Sequence, residues 1–250
     1  MKAVILAAGK GTRMGELTNE LPKPMLPVRG KPILEHILEG LLSAGIRDFC
    51  IVTGWRKEVI EQHFAKAPRQ GIRLEFVEQK VQDGTGKAPE LARAFVGPDP
   101  FLLTYGDILV KPETYSQMVR RFEEDDFSGL LTVTAGQDVT KGAINFFDDQ
   151  FCLRRLIEKP TPAQLEELRT SGWLNPGDPV WYNAGIYIFR PVVFEYTARL
   201  VKSPRNEYEL TDAIIAMTQT GHRIAGLSIA GRWVDVRDPS TLAALERGEM

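Results

Sequence analysis

Short apolar runs alternate with amphipathic stretches along most of this chain, and that alternation leaves few folds open. Residues 2–8 are a nearly continuous apolar run closed by Gly9, the pattern of a strand buried on both faces. Residues 31–44 follow, with Ile33, Ile37, Leu38, Leu41 and Leu42 on one helical face. The series continues as strand 48–53, helix 57–64, strand 73–77, helix 88–95, strand 101–104, helix 113–123 and strand 129–134. Repeated βαβ units of this length predict an α/β fold: a Rossmann-like, mostly parallel sheet with helices on both faces. Strands 144–147, 151–157 and 181–189 have shorter connections and predict a mixed region laid beside the first sheet. Residues 163–171 read as a helix on a polar excursion that ends Asn175-Pro176-Gly177-Asp178-Pro179. Asn206 and Glu209 read as a capping-box variant opening helix 207–219, followed by a last strand 233–236 and a terminal helix 239–247. No internal repeat or long linker divides the chain, so one domain is expected over 1–250.

Composition narrows the function classes. Lys plus Arg (31) against Asp plus Glu (33) leaves a net charge of −2, which gives no electrostatic footprint for nucleic acid or an anionic membrane. Any polyanion site must therefore be built locally. Cys50 and Cys152 lie far apart in apolar segments and read as reduced core thiols, not a disulfide scaffold. No apolar run approaches the roughly 20 residues of a spanning helix. The apolar start is shorter than the roughly 7–15 residues of a secretory signal. A cytoplasmic protein is expected, and nothing excludes a homo-oligomer.

The strongest chemical signal is the turn after the first strand, Leu6-Ala7-Ala8-Gly9-Lys10-Gly11-Thr12-Arg13-Met14. In open α/β sheets ligands sit beyond the carboxyl ends of the strands, where glycine lets backbone N–H groups approach phosphate oxygens. The third glycine of a dinucleotide fingerprint is absent, with Met14 in its place, and so is the P-loop pattern. Arg13 and the Lys23 of Pro22-Lys23-Pro24 add two cations to the turn, which suits a triphosphate.

These residues resemble the signature of the sugar-1-phosphate nucleotidyltransferases, the nucleotide-sugar pyrophosphorylases. The resemblance runs through Leu21–Val28, Gly84-Thr85-Gly86, Tyr105-Gly106-Asp107, Glu158-Lys159-Pro160, Asn183-Ala184-Gly185 and Trp233-Val234-Asp235, in the family's order and over nearly the whole chain. It implies a glycosyltransferase-A-like nucleotidyltransferase fold. It also implies a reaction in which a sugar-1-phosphate oxygen attacks the α-phosphorus of a nucleoside triphosphate and displaces pyrophosphate. Such transfers need positioning and charge neutralisation more than a protein nucleophile. His36, His63 and His222 accordingly fall on separate elements, away from every motif.

By the same resemblance, Leu6, Ala8, Gly9, Gly11, Thr12, Arg13, Lys23, Gln79, Gly84 and Thr85 contact the nucleotide. Asp107 and Asp235 hold Mg²⁺, an ion that usually takes only one or two protein carboxylates beside water and phosphate. Lys159 meets the sugar phosphate, Glu158 and Asn183 accept sugar hydroxyls, and Gly142 lies against the ring. Arg13, Lys23, Asp107 and Lys159 form the implied catalytic set. A glutamine amide such as Gln79 complements uracil or thymine, but flipped it pairs with cytosine, so the base stays open.

Departures from the family pattern include Gly15-Glu16-Leu17 after the first turn, and Lys87 and Pro89, which are expected to reshape the base side. The excursion between Lys159 and Asn183 is expected to help shape the acceptor pocket. The C-terminal β-helix of many relatives has no counterpart in these residues. The reading is a nucleotidyltransferase acting on glucose-1-phosphate with UTP or dTTP. The alternatives are cytidylyl or guanylyl transfer to phosphocholine, a polyol phosphate or mannose-1-phosphate, and a non-catalytic nucleotide-sensing homologue. A dinucleotide oxidoreductase is disfavoured by the missing glycine.

Overall fold

The computed structural model describes residues 1–66 and 69–249. Its first half comprises β1 (Lys2–Ala7), β2 (Pro27–Val28), β3 (Lys31–Pro32), α1 (Ile33–Ser43), β4 (Asp48–Thr53), α2 (Lys57–Lys66) and β5 (Arg73–Glu78). Next come α3 (Arg93–Val96), β6 (Phe101–Tyr105), β7 (Ile108–Val110), α4 (Glu113–Glu123) and β8 (Gly129–Thr134). The remainder is β9 (Ala143–Phe147), β10 (Leu153–Glu158), α5 (Pro162–Thr170), β11 (Trp181–Phe189), α6 (Val193–Thr197), α7 (Leu210–Gln219), β12 (Ile224–Ser228), β13 (Trp233–Asp235) and α8 (Pro239–Arg247).

The sheet runs β10-β9-β11-β6-β1-β4-β5, with β8 paired to both β11 and β12. β1 lies parallel to β4 and β6, β4 to β5, and β8 to β12. The second-half strands do not form a region beside this sheet, as the pattern had predicted; they extend it. β11 pairs antiparallel with β6 from Ile186↔Thr104 to Phe189↔Phe101, and β9 and β10 follow outward.

Both faces of the sheet are covered, which is why the central strands are apolar along most of their length. Ala3, Ile5, Ala7, Phe49 and Ile51 pack with Leu34 and Ile37 of α1, Ile60 of α2, Tyr115 and Met118 of α4 and Leu245 of α8. The alternate positions Val4, Cys50, Val52 and Leu103 pack with Phe95 of α3, Phe194 of α6 and Ile214 of α7. Both cysteines are free and buried, and burial pushes the Cys50 thiol up to about 12.

Several local expectations are corrected. The segment read as helix 88–95 is a 3₁₀ stretch, Ala88–Ala92, followed by the single turn α3, because Pro89 denies the stretch an amide. No capping box opens α7: Asn206 takes a left-handed φ of 61° and Glu209 accepts from Ser203 and Arg205 instead, so the helix starts at Leu210. A full capping box opens α5, where the Thr161 side chain and Gln164 satisfy each other's backbone N–H. Phe151 is a turn residue, not the start of β10. The pattern also missed β12, α6, and β7, which pairs with β13 in a separate ribbon. Among the described residues, no helix is long and apolar enough to cross a membrane.

β1 and β4 end side by side, and their turns interlock. Trp55 N–H donates to the Ala8 carbonyl at 3.0 Å. A Cβ on Gly54 would fall 2.6 Å from that oxygen and 2.9 Å from Ala8 Cβ, contacts that only backbone movement could relieve. Gly54→Ala is expected to destabilise the protein by about 1–3 kcal/mol, measured by urea denaturation, while the neighbouring substitution Lys57→Ala, on an exposed face, leaves the midpoint nearly unchanged.

Candidate active site

The carboxyl ends of β1, β5 and β6 open onto one cavity of about 440 Å³. Its wall contains Leu6, Ala8, Gly9, Gly11, Lys23, Gln79, Gly84, Thr85, Asp107 and Asp235, ten residues singled out in the sequence. Gly11 takes φ 66°, a conformation glycine adopts without strain, and Met14 N–H returns to its carbonyl at 2.9 Å. A Cβ there would sit 2.9 Å from Lys23 Cβ, so this glycine also lets the Pro22–Pro24 turn close over the first one. Gly9 is different: a Cβ would meet nothing within 4 Å, and the space it faces belongs to the cavity.

Lys23 Nζ lies 2.5 Å from Asp107 Oδ2 and 3.9 Å from Asp235 Oδ1, while Arg237 Nη2 lies 3.2 Å from Asp235 Oδ2. The side chains of Lys23, Asp107 and Asp235 are only 13%, 27% and 23% exposed, so these charges act in a partly dehydrated setting. Folding delivers both acids through the small ribbon: Asp235 pairs with Ile108, and Val236 N–H donates to the Asp107 carbonyl at 2.9 Å. Gly106 N–H donates to the Leu6 carbonyl at 2.8 Å, fixing Asp107 against the first turn. Thr12 and Arg13 are exposed and open the 3₁₀ turn Thr12–Thr18 outside the cavity wall. The Arg13 charge nonetheless reaches Asp235.

Gln79 is buried, and its Nε2 donates to the Gly84 carbonyl at 3.3 Å. Gly84, at φ 115°, bridges to Tyr208, whose backbone occupies the volume a Cβ would need. Lys87 does not reshape this wall. Its ammonium turns away and binds the Thr197 and Ala198 carbonyls at 2.7 and 2.9 Å, at the end of α6. Pro89 is buried beneath, outside the cavity wall.

Gly142, Glu158, Lys159 and Asn183 lie outside the cavity wall and form a second group. Lys159 N–H donates to the Gly142 carbonyl at 2.8 Å, and Lys159 adopts φ 44° at the end of β10. Burial holds the Glu158 carboxyl above its ordinary range, opposed by Arg205, whose Nη2 is 3.4 Å away. Asn183 was read as accepting sugar hydroxyls, but its Oδ1 is already engaged, accepting from Gly185 N–H and Tyr187 O–H at 3.0 Å each. What it has free is the buried amide Nδ2, which has no partner. Gly142 is covered: its Cα carries the space that the Tyr182 hydroxyl fills. The two groups meet at Tyr105, a wall residue that burial pushes up to about 12 and whose hydroxyl neighbours Tyr187 and Thr85.

Arg205, Arg237 and Tyr182 carry no motif of their own, and only Arg237, two residues beyond Asp235, has a positional signal; Tyr105 stands in the Tyr105-Gly106-Asp107 motif, which by itself points to Asp107 alone. No residue of the excursion lines the first cavity; α5 packs against Ile144 and Phe146 of β9. Among the described residues, no group of three or more His, Cys, Asp or Glu could hold a metal ion alone. Two acids sharing a cavity with a cation suit Mg²⁺ held jointly with phosphate oxygens, which needs no larger cage.

The nucleotidyl transferase family model matches residues 2–247. The chain is 31% identical over 245 residues to the low-salt glycan biosynthesis nucleotidyltransferase Agl11 of Haloferax volcanii, covering 97% of this chain and 64% of that protein. It is 30% identical to the UTP–glucose-1-phosphate uridylyltransferase AglF of the same organism, covering 96% and 92%. It is 35% identical to the bifunctional protein GlmU of Methanocaldococcus jannaschii, of which it spans 52%. A crystal structure of UDP-glucose pyrophosphorylase complexed with UDP-glucose superposes with a TM-score of 0.84 at 23% identity, over 99% of this chain and 97% of that one, and shares the fold. The chain belongs to the nucleotidyl transferase family. It spans about half to two-thirds of the length of GlmU and Agl11.

Burial, reinforced by the Asp107 charge, pushes the Asp235 carboxyl up to about 6 against the pull of Lys23, Arg237 and Arg13. In the metal-free protein the native state therefore holds this proton more tightly than the unfolded chain. The stabilisation is complete below the ordinary carboxylate range and is lost as pH rises through about 6. Asp235→Asn is expected to raise metal-free stability by about 1–3 kcal/mol near pH 8, with the gain vanishing near pH 4. Urea denaturation in EDTA at both pH values measures it.

Proposed function

We propose that this protein transfers a nucleotidyl group from a nucleoside triphosphate to a sugar-1-phosphate, forming a nucleotide-diphospho-sugar and pyrophosphate. The observation that carries the reading is the convergence of Lys23, Asp107 and Asp235 on a cavity lined by the Gly9–Gly11 turn. An acceptor phosphate oxygen attacks the α-phosphorus, the bond to the β-phosphate oxygen breaks, and pyrophosphate leaves. The first turn offers backbone N–H groups to the triphosphate, Lys23 neutralises charge as it develops, and Arg13 adds a cation from the rim. Asp107 and Asp235 would hold Mg²⁺, which when bound withdraws charge from the phosphate oxygens. Lys159 receives the acceptor phosphate, and Glu158 orients the sugar by accepting from its hydroxyls. Separation of the two groups across Tyr105 keeps acceptor and nucleotide on opposite sides of the reacting phosphorus.

UTP or dTTP is the favoured donor. The Gln79 amide donates to the Gly84 carbonyl, which leaves Oε1 to accept from a base donor such as the N3–H of uracil or thymine. The similarity to AglF, which covers 92% of that uridylyltransferase, supports glucose-1-phosphate as acceptor.

A matrix of five triphosphates against sugar-1-phosphates and phospho-alcohols, scored by pyrophosphate release, tests this. Release is expected with UTP or dTTP only when glucose-1-phosphate is present; release without any acceptor, or in no cell of the matrix, overturns the reading. In the active cell, Lys23→Ala and Asp107→Ala are each expected to lower kcat by about 10²–10³.

A further inference from the structure

The excursion between Lys159 and Trp181 builds a cavity of its own. α5 sets Leu168 against Ile144 and Phe146 of β9, making a third small core, and the chain returns past Trp173 to β11. Between that return and the strands lies a space of about 360 Å³ walled by Phe147, Phe151, Trp173 and Trp181, with Asn145, Asp148 and Asp178 as its polar groups.

Three features mark it as built. Trp173 is 41% exposed, yet it is pinned by Phe146 edge-on at 5.2 Å and by the Arg155 guanidinium 5.3 Å from its ring centre. Asn145 is 1% exposed; its Nδ2 donates to the Ala143 and Trp181 carbonyls at 3.4 and 3.3 Å, while its Oδ1 has no partner. A buried acceptor left without a donor is costly and calls for one. Phe151 holds φ 56°, unusual for a bulky residue, with its ring stacked on Phe147 at 4.2 Å and edge-on to Trp181 at 5.5 Å.

The lining defines the ligand. It contains no Lys, Arg or His, so a phosphate would find no partner. It offers flat apolar faces together with carboxylate acceptors: Asp178, steadied by Asn175 at 2.8 Å, and the second oxygen of Asp148, whose Oδ1 accepts from the Gln150 and Cys152 N–H groups. A sugar ring presents the complement, C–H faces to pack on aromatic rings and hydroxyl donors for carboxylates. We propose that this cavity is a second ligand site, separate from the nucleotide cavity, that binds an unphosphorylated pyranose saccharide.

Saturation-transfer NMR with methyl α-D-glucopyranoside on the full chain tests it. Transfer is expected in the native protein and equally in Lys159→Ala, which weakens the acceptor group of the catalytic site. It is expected to vanish in Trp173→Ala while pyrophosphate release is retained. Asp178→Asn, an exposed change that leaves the fold alone, is expected to weaken binding about tenfold through one lost charge-assisted hydrogen bond. No transfer in the native protein, loss of transfer in Lys159→Ala, or undiminished transfer in both Trp173→Ala and Asp178→Asn overturns the proposal. Stronger transfer from tetramethylammonium than from the glucoside also overturns it, by making the cavity a cation site. Should Trp173→Ala fail to fold, Asp178→Asn decides alone.

Discussion

One lysine between two acids organises the catalytic half of this protein. Lys23 contacts Asp107 directly and stands 3.9 Å from Asp235, and Arg237 closes the row on the other side. The three main members come from the turn after β1, the β6–β7 turn and β13, so the row exists only when all three segments are seated. Each charge is partly buried, and removing one partner would strand another in a poor dielectric. The row is not neutral in effect, however. Burial and the Asp107 charge outweigh the pull of three cations on Asp235, whose ionised form is left under-stabilised. Under the proposed function, Mg²⁺ with its phosphate ligands would answer that deficit, since it takes only one or two protein carboxylates.

The sheet explains why the two halves of the site differ. Parallel strands β1, β4, β5 and β6 send their carboxyl ends to one edge, and the turns there are free to be lined with glycine. At β11 the direction reverses, so Asn183 arrives near the same edge from the start of a strand instead of its end. The nucleotide half is consequently an open cavity, with Gly9 facing empty space. The acceptor half is a web of mutual contacts, in which Asn183 accepts from Tyr187, Arg205 pairs with Glu158 and Glu209, and Tyr182 covers Gly142.

Legibility in the sequence followed the range of the interactions. β1, β4, β6, β8 and α4 were readable to within a residue because burial on both faces, or one strong apolar stripe, writes itself into consecutive positions. β12 was not: Ile224–Ser228 interrupts its apolar run with Gly226, and only parallel pairing to β8 makes it a strand. The expected cap on α7 failed for a related reason. Glu209 had a stronger partner in Arg205, across a turn that Asn206 closes at positive φ. The charged residues Lys23, Asp107 and Asp235 were legible because they stand in short motifs, two of them beside glycine or proline. Their supports were not, since Arg237, Arg205 and Tyr182 acquire meaning only from what folding places next to them.

The excursion makes the same point from the other direction. Its length suggested a part in the acceptor pocket, since it departs from Lys159 and returns two residues before Asn183. α5 is amphipathic in only one narrow stripe, with Leu168 its single buried residue, and β9 offers Ile144 and Phe146 to cover it. Burial of that stripe decides where the helix lies, and the polar return is carried outward with it. Trp173 then rests on Phe146 and the Arg155 guanidinium. The apolar face that the excursion must bury settles its place, and its remaining surface is free to build the aromatic cavity beside β9.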